Sequence, residues 1–179
     1  MINIAFRGVL IGFSDKIMKK NYLTEYWKRT NTEVTLLSCN EVDLSLPAVA
    51  VGCYAVKNDS ILLIKNYRGW DVPGGHIELG ETPLDAVKRE LKEEANCEAN
   101  EFFVIGYLHC RQTVPHAKYP DESLLVIYSC YDFEVDHEAQ LAFETTEAKF
   151  VSLGEVGDFH HNWTDLKRKL LENAVRLKK

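Results

Sequence analysis

Between Gly75 and Cys97 the chain reads G-H-I-E-L-G-E-T-P-L-D-A-V-K-R-E-L-K-E-E-A-N-C. A glycine turn, a helix start and a dense acidic cluster fall in one short segment. Thr82 is a favoured N-cap, Pro83 suits the first helical position, and Asp85 completes a capping-box pattern. The spacing predicts a helix from about Pro83 through L-D-A-V-K-R-E-L-K-E-E-A. At roughly 100° per residue, Leu84, Val87, Leu91 and Ala95 share an apolar stripe. Glu90, Glu93 and Glu94 stand at i, i+3 and i+4, so they share a different face. Like charges on one face destabilise an isolated helix by a few tenths of a kcal/mol per pair. Lys88, Arg89 and Lys92 fall beside this cluster rather than within it. A solvated acidic face is the plain reading of the helix alone. The preceding W-D-V-P-G-G favours another: hard divalent cations want several carboxylate oxygens from one small region.

Gly75, five residues, Glu81, seven residues, then Arg89-Glu90-Leu91-Lys92-Glu93-Glu94 resembles the signature of the Nudix hydrolases. Trp70–Glu94 is especially similar to MutT-type members. One position departs: Asn96 stands where the family has glycine. A helix-ending residue there adopts the left-handed conformation, which Asn tolerates best after glycine. Cys97 fills the final apolar slot and is expected to be buried.

The resemblance implies an α+β fold, a mixed β-sheet sandwiched between α-helices. It covers about 46–179, leaving 1–45 as an N-terminal accessory segment. It implies a hydrolase of nucleoside diphosphates linked to a group X, with Mg²⁺ or Mn²⁺ as cofactor and a small nucleotide as partner. Glu90, Glu93 and Glu94 match the family's metal ligands, with a backbone carbonyl from Gly74 or Gly75. Arg89 and Glu81 match its orienting pair. For the general base, Glu138, Glu144 and Glu147 are candidates, and Glu147, ahead of A-K-F, fits the family pattern best. Tyr67, Arg68 and Trp70 flank the glycine turn and can stack on a base. A core role is the alternative for Trp70. His76 is placed to contact phosphate or to face solvent.

Nucleoside triphosphates, with nucleotide-pool sanitation as the use, lead the substrate readings. ADP-ribose, nucleotide sugars and RNA 5′ ends are the alternatives, because one signature serves many substrates. A non-catalytic nucleotide sensor is the reading from another class. Such a protein would show an eroded acidic cluster, and this one is complete.

The rest of the chain adds bounds. A net charge of −6 argues against sequence-independent nucleic-acid binding. No apolar run has the length of a membrane span. The apolar start is broken by Arg7 and lacks a basic leader and cleavage site, so it reads as core rather than signal peptide. The five cysteines include no C-x-x-C pair, which suggests reduced thiols, a cytoplasmic setting and no zinc site. His109, His116, His160 and His161 show no metal-ligand spacing.

Asp15 to about Arg29 reads as a helix, with Ile17, Leu23, Tyr26 and Trp27 on its apolar face and Lys16, Lys19 and Lys20 on its basic one. Glu33–Ser38, Ala48–Lys57, Ser60–Asn66, Phe102–Gln112, Leu124–Val135 and Lys149–Leu153 read as strands. Asn58-Asp59 is a hairpin turn, and Asp165–Lys178 a closing amphipathic helix. The apolar content of 1–45, including Phe6, Leu10 and Phe13, predicts a packed element that covers a sheet edge or forms a homodimer contact.

Overall fold

Strand β3 (Ala48–Lys57) runs into a two-residue turn and returns as β4 (Ser60–Asn66). Asn58 takes φ 53°, a conformation Asn adopts at little cost, so the turn is tight and the register Lys57↔Ser60 follows. The computed structural model describes residues 23–178 except 118, 137, 139, 142 and 143. Around this hairpin lie β1 (Thr24–Trp27), β2 (Thr32–Leu37), β5 (Gly69–Asp71), β6 (Gly74–His76), β8 (Phe103–Gln112), β9 (Glu122–Cys130) and β11 (Glu147–Ser152). They form one mixed sheet in the order β1-β2-β8-β9-β3-β4-β11, with β5 on β4 and β6 on β3. Only β3 and β9 pair in parallel among the described strands. A second small sheet joins β7 (Cys97–Ala99) to β10 (Phe133–Val135).

The sheet buries both faces. On one side helix α1 (Pro83–Ala95) sets Val87, Leu91 and Ala95 against Val51, Cys53, Leu62, Ile64 and Val126. Burying a side chain such as Leu91 contributes roughly 2 kcal/mol. Leu91→Ala would cost about 2–5 kcal/mol through the cavity it leaves. On the other side helix α3 (Asp165–Leu177) sets Leu166, Leu170 and Ala174 against Tyr54, Val56, Leu63 and Leu108. A single turn, α2 (Val156–Phe159), precedes it. The near-continuous burial of β3 and β4 follows from helices covering both faces.

Helix α1 starts as its sequence dictates. Thr82 accepts a hydrogen bond from the Asp85 backbone while Asp85 accepts from Thr82, a reciprocal box worth about 1 kcal/mol. It ends at Asn96, whose φ of 46° is left-handed and whose N–H bonds Leu91 and Lys92 carbonyls. Asn therefore serves where glycine is usual. Leu84 departs from its expected stripe: it is 40% exposed, and Ala86 is buried in its place.

The N-terminal part corrects one expectation. Residues 24–27 form a strand, not the end of a helix from Asp15. β-Branched and aromatic side chains favour the strand, and Asn31 at φ 51° closes a turn into β2. Leu23, Tyr26 and Trp27 therefore do not share a helix face. Residues 15–22, with Ile17, Lys16, Lys19 and Lys20, lie outside the described residues, as do Phe6, Leu10 and Phe13. The β1–β2 hairpin extends the sheet at β8, with Leu36 opposite Leu108. The run from Leu124 also divides: β9 ends at Cys130, and Phe133–Val135 turns away to pair β7. Among the described residues no helix is long and apolar enough to cross a membrane. Cys53, Cys97, Cys110 and Cys130 are buried and unbridged, and Cys39 is exposed and unbridged.

Candidate active site

The glycine turn and the acidic helix face meet directly. Strand β6 pairs with β3, so Gly74 lies opposite Gly52 and Gly75 opposite Val51. A Cβ on Gly74 would overlap the Val51 carbonyl oxygen and stand 2.8 Å from the Gly52 Cα. A Cβ on Gly75 would overlap the Glu90 carboxylate and lie 2.6 Å from its Cδ. Only bare backbone allows this approach. The Gly74 N–H donates to Glu94 Oε2 at 2.8 Å, tying the turn to the helix.

Arg89 organises this face. Nε and Nη2 donate to the two oxygens of Glu81 at 2.7 and 3.0 Å, a bidentate fork. Nη1 donates to Glu90 Oε1 at 2.9 Å and Glu93 Oε2 at 3.2 Å. Nη2 also donates to the His76 carbonyl at 3.0 Å. All the guanidinium's donors are used, which a lysine could not reproduce. Glu81 receives a further bond from the Glu78 N–H, 2.9 Å. Glu90 Oε2, Glu93 Oε1 and Glu94 Oε1 take no part in these bonds.

The electrostatics follow from burial. Desolvation pushes the Glu94 carboxyl up to about 7 against the opposing Gly74 hydrogen bond, with Glu90 and Asp71 adding repulsion. Glu90 is raised as well, by burial first, while Arg89 pulls it down. Glu81 is lowered by its bond to Arg89. Two half-buried carboxyls with raised pKa values beside a third are poorly served by protein partners alone. A divalent ion is the partner this chemistry fits, because it would neutralise them together.

Other expected residues fall differently. Trp70 is packed edge-on against Phe159 at 6.2 Å, with the Lys149 ammonium 4.7 Å from its ring. That is the core role. Glu147 lies exposed at the start of β11, opposite Lys65, and joins none of the bonds above. Glu138 and Glu144 are likewise exposed outside the glutamate face. Gly74, Gly75, His76 and Arg68 line one cavity of about 780 Å³, with Tyr26, Trp27 and Arg29 from the β1–β2 hairpin. His76 Nε2 and the Tyr119 hydroxyl share a 3.0 Å hydrogen bond at its edge.

A second polar cluster was invisible in the sequence. Ligand-type atoms of Asp71, His160 and His161 lie within 4.8 Å of one another. Glu90, Glu93 and Glu94 form no group that tight among the described residues. Hydrogen bonding settles what the histidine cluster is suited for. His161 Nδ1 lies 3.0 Å from the Trp70 carbonyl, which can only accept, so Nδ1 carries a proton. His160 Nδ1 accepts from the Asn162 N–H at 3.2 Å, so in the neutral ring the proton is on Nε2. That nitrogen sits 3.0 Å from Asp71 Oδ1, buried and too poorly aligned for a directed hydrogen bond, so the contact is electrostatic. Burial alone would raise Asp71, but the His160 contact and nearby cations hold it below its usual range. The imidazole nitrogens nearest Asp71 thus bear protons, and a metal needs lone pairs. The cluster is a clamp. It holds β5, with the His161 N–H adding a 2.9 Å bond to the Trp70 carbonyl, and β5 leads into Gly74. Sequence spacing gave no sign of it, because Asp71 is remote from the two histidines.

The NUDIX domain profile matches residues 46–174. An ADP-ribose pyrophosphatase of Methanocaldococcus jannaschii is 38% identical over 87 residues. That match spans 46% of this chain and 43% of the relative, so less than half of each. Among solved structures, a Bacillus subtilis pyrophosphohydrolase superposes with a TM-score of 0.57 at 20% identity, covering 80% of both chains. The NUDIX domain of Shewanella oneidensis NrtR, solved with ADP-ribose, gives 0.56 at 18% identity, covering 77% of this chain and 94% of that one. These structures share the fold. Nudix hydrolases generally use a divalent metal. With the profile spanning most of the chain, this protein belongs to the NUDIX domain family.

Proposed function

We propose that the protein is a Mg²⁺- or Mn²⁺-dependent hydrolase of nucleoside diphosphates linked to a group X. Glu90 and Glu94 hold the ion, with a backbone carbonyl of Gly74 or Gly75. Glu93, the half-exposed member of the three, takes the proton from the attacking water in place of Glu147. Arg89 and Glu81 hold the carboxylates in register. Gly75, His76 and Arg68 receive the phosphates. When bound, the ion neutralises pyrophosphate charge and lowers the pKa of the water.

The observation that carries this reading is the contact between Glu90 and the Gly75 backbone, beside Glu94 bonded to Gly74. It joins a carboxylate cluster to a stretch of backbone open to phosphate. A sensor without catalysis would not need this cluster intact. ADP-ribose belongs in the substrate panel because the partial M. jannaschii relative is an ADP-ribose pyrophosphatase. Nucleoside triphosphates, nucleotide sugars and 5′-triphosphorylated RNA complete the panel. The test is product analysis with Mg²⁺ across that panel. The reading requires a nucleoside monophosphate, or the processed RNA end, to be released by metal-dependent cleavage between phosphorus atoms. No cleavage of any panel member would overturn it. We further propose that residues 1–45 form an accessory element on a domain spanning 46–179.

A further inference from the structure

The cavity beside the glycine turn is only partly built by residues within the NUDIX match. Tyr26, Trp27, Lys28, Arg29 and Thr30, from the β1–β2 hairpin, form another wall. At its rim two arginines converge on one phenol. Arg29 Nη1 donates to the Tyr67 hydroxyl at 2.9 Å, and Arg68 Nη1 donates to the same oxygen at 3.2 Å. These distances place the two Nη1 atoms within about 6 Å of each other, since both bond one oxygen.

Among the described residues neither arginine pairs with a carboxylate. Like charges this close repel, and a neutral hydroxyl does not offset them. The phenol responds: the bonds from Arg29, then Arg68, lower its pKa. In a chain of net charge −6, this is a local concentration of positive charge rather than a general basic surface. The Arg68 backbone is fixed by a 2.9 Å bond to Asn66 Oδ1. Arg29 and Arg68 line the same cavity as Gly74, Gly75 and His76, so the rim adjoins the glycine turn that Glu90 and Glu94 meet.

We propose that Arg29 and Arg68 form an anion subsite that takes an additional phosphate, beyond the pyrophosphate that is cleaved, and so select small nucleotides with three or more phosphates over those whose group X ends in a neutral sugar. The subsite rests on the assignment of this cavity as the substrate site. A guanidinium fork matches phosphate oxygens, and two forks converging from different elements can hold one phosphate between them. The hairpin carrying Arg29 then acts as a specificity element that this chain adds to the shared domain.

The test compares kcat/KM for a nucleoside triphosphate and for ADP-ribose in the wild type, Arg29→Gln and Arg29→Lys. Arg29 is exposed, so a thermal melt is expected to show the fold intact. The wild type should favour the triphosphate. Arg29→Gln should reduce that preference about 10-fold or more, the scale of one charge-assisted hydrogen bond, and Arg29→Lys should recover part of it. A parallel titration uses inorganic triphosphate in the presence of a chelator. Its affinity should fall about 10-fold in Arg29→Gln and weaken with added salt. A wild type that prefers ADP-ribose, an equal fall for both substrates, or unchanged triphosphate binding would overturn the subsite. Failure to hydrolyse either substrate, with triphosphate binding still dependent on Arg29, would instead overturn the enzymatic reading and leave the subsite standing.

Discussion

The glutamate face and the histidine clamp are both polar clusters at the glycine turn, yet they are built in opposite ways. On the face, carboxylates gather around one guanidinium, and two of them are raised in pKa by burial. In the clamp, one carboxylate meets two imidazoles whose nearest nitrogens carry protons, and its pKa is lowered. The face is short of positive charge, whereas the clamp's carboxylate faces the proton-bearing nitrogens of two imidazoles. A cluster's ligand count is thus a poor guide to metal binding. The tighter group is the one whose lone pairs are spent.

The largest effect is expected where the face loses a carboxylate. Glu94→Gln keeps the volume but removes charge. Turnover should fall by about 10²–10³ or more, the range for losing a principal electrostatic element. The metal-free melting temperature should hold or rise, since one of several repelling carboxylates is gone. Steady-state rates beside a thermal melt check both. A large drop in melting temperature with normal turnover would make the face structural and erase the contrast with the clamp.

Arg89→Lys should come next. The compact ammonium cannot span Glu81, Glu90, Glu93 and the His76 carbonyl together. Activity should fall by about 10-fold or more, because an ångström of misplacement is costly in such sites. The melting temperature should drop too. A silent substitution would show that the fork does not set the geometry of the face.

pH sharpens the comparison further. Glu94 shifts from an ordinary value of 4.5 to about 7 in the metal-free fold. The folded state thus binds the proton more tightly than the unfolded chain. That contribution to stability is fully present below 4.5 and is lost as pH rises to 7 and beyond. Asp71 has the opposite sign: its contribution is present above its unfolded pKa and is lost as pH falls through its lowered folded value. Melting curves from pH 4 to 8 should show the first trend in the wild type and a flatter one in Glu94→Gln. An identical slope in both would place the raised carboxyl elsewhere.

His160→Asn should have the smallest catalytic effect. It removes a buried side chain whose contact with Asp71 holds β5. Stability should fall by about 1–3 kcal/mol as buried contacts are lost, with turnover reduced far less than in Glu94→Gln. Chemical denaturation and rate measurements on one preparation check this.

What the sequence disclosed tracks the range of the interactions. The Thr82 cap, the left-handed Asn96, the Asn58 turn and the shared face of the glutamates are set by neighbours within a few residues, and each was legible. β1 was not, because Leu23, Tyr26 and Trp27 also satisfy a helical period when read without their pairing partners on β2. Leu84 was misplaced because Ala86, not Leu84, is the residue of the first turn of α1 that packs into the core. The joining of Arg29 to Arg68, and of Asp71 to His160, depends on which strands the fold brings together. A single sequence carries no local mark of that.

Direct metal titration tests the central claim, that the ion belongs to the glutamate face and not to the histidine clamp. Free Mn²⁺ is followed by its electron paramagnetic resonance signal as wild-type, Glu94→Gln and His160→Asn proteins are added at pH 8, where Glu94 is ionised. The account predicts binding by the wild type, affinity at least about 10-fold weaker in Glu94→Gln, and near wild-type affinity in His160→Asn. Undiminished binding by Glu94→Gln together with lost binding by His160→Asn would contradict it.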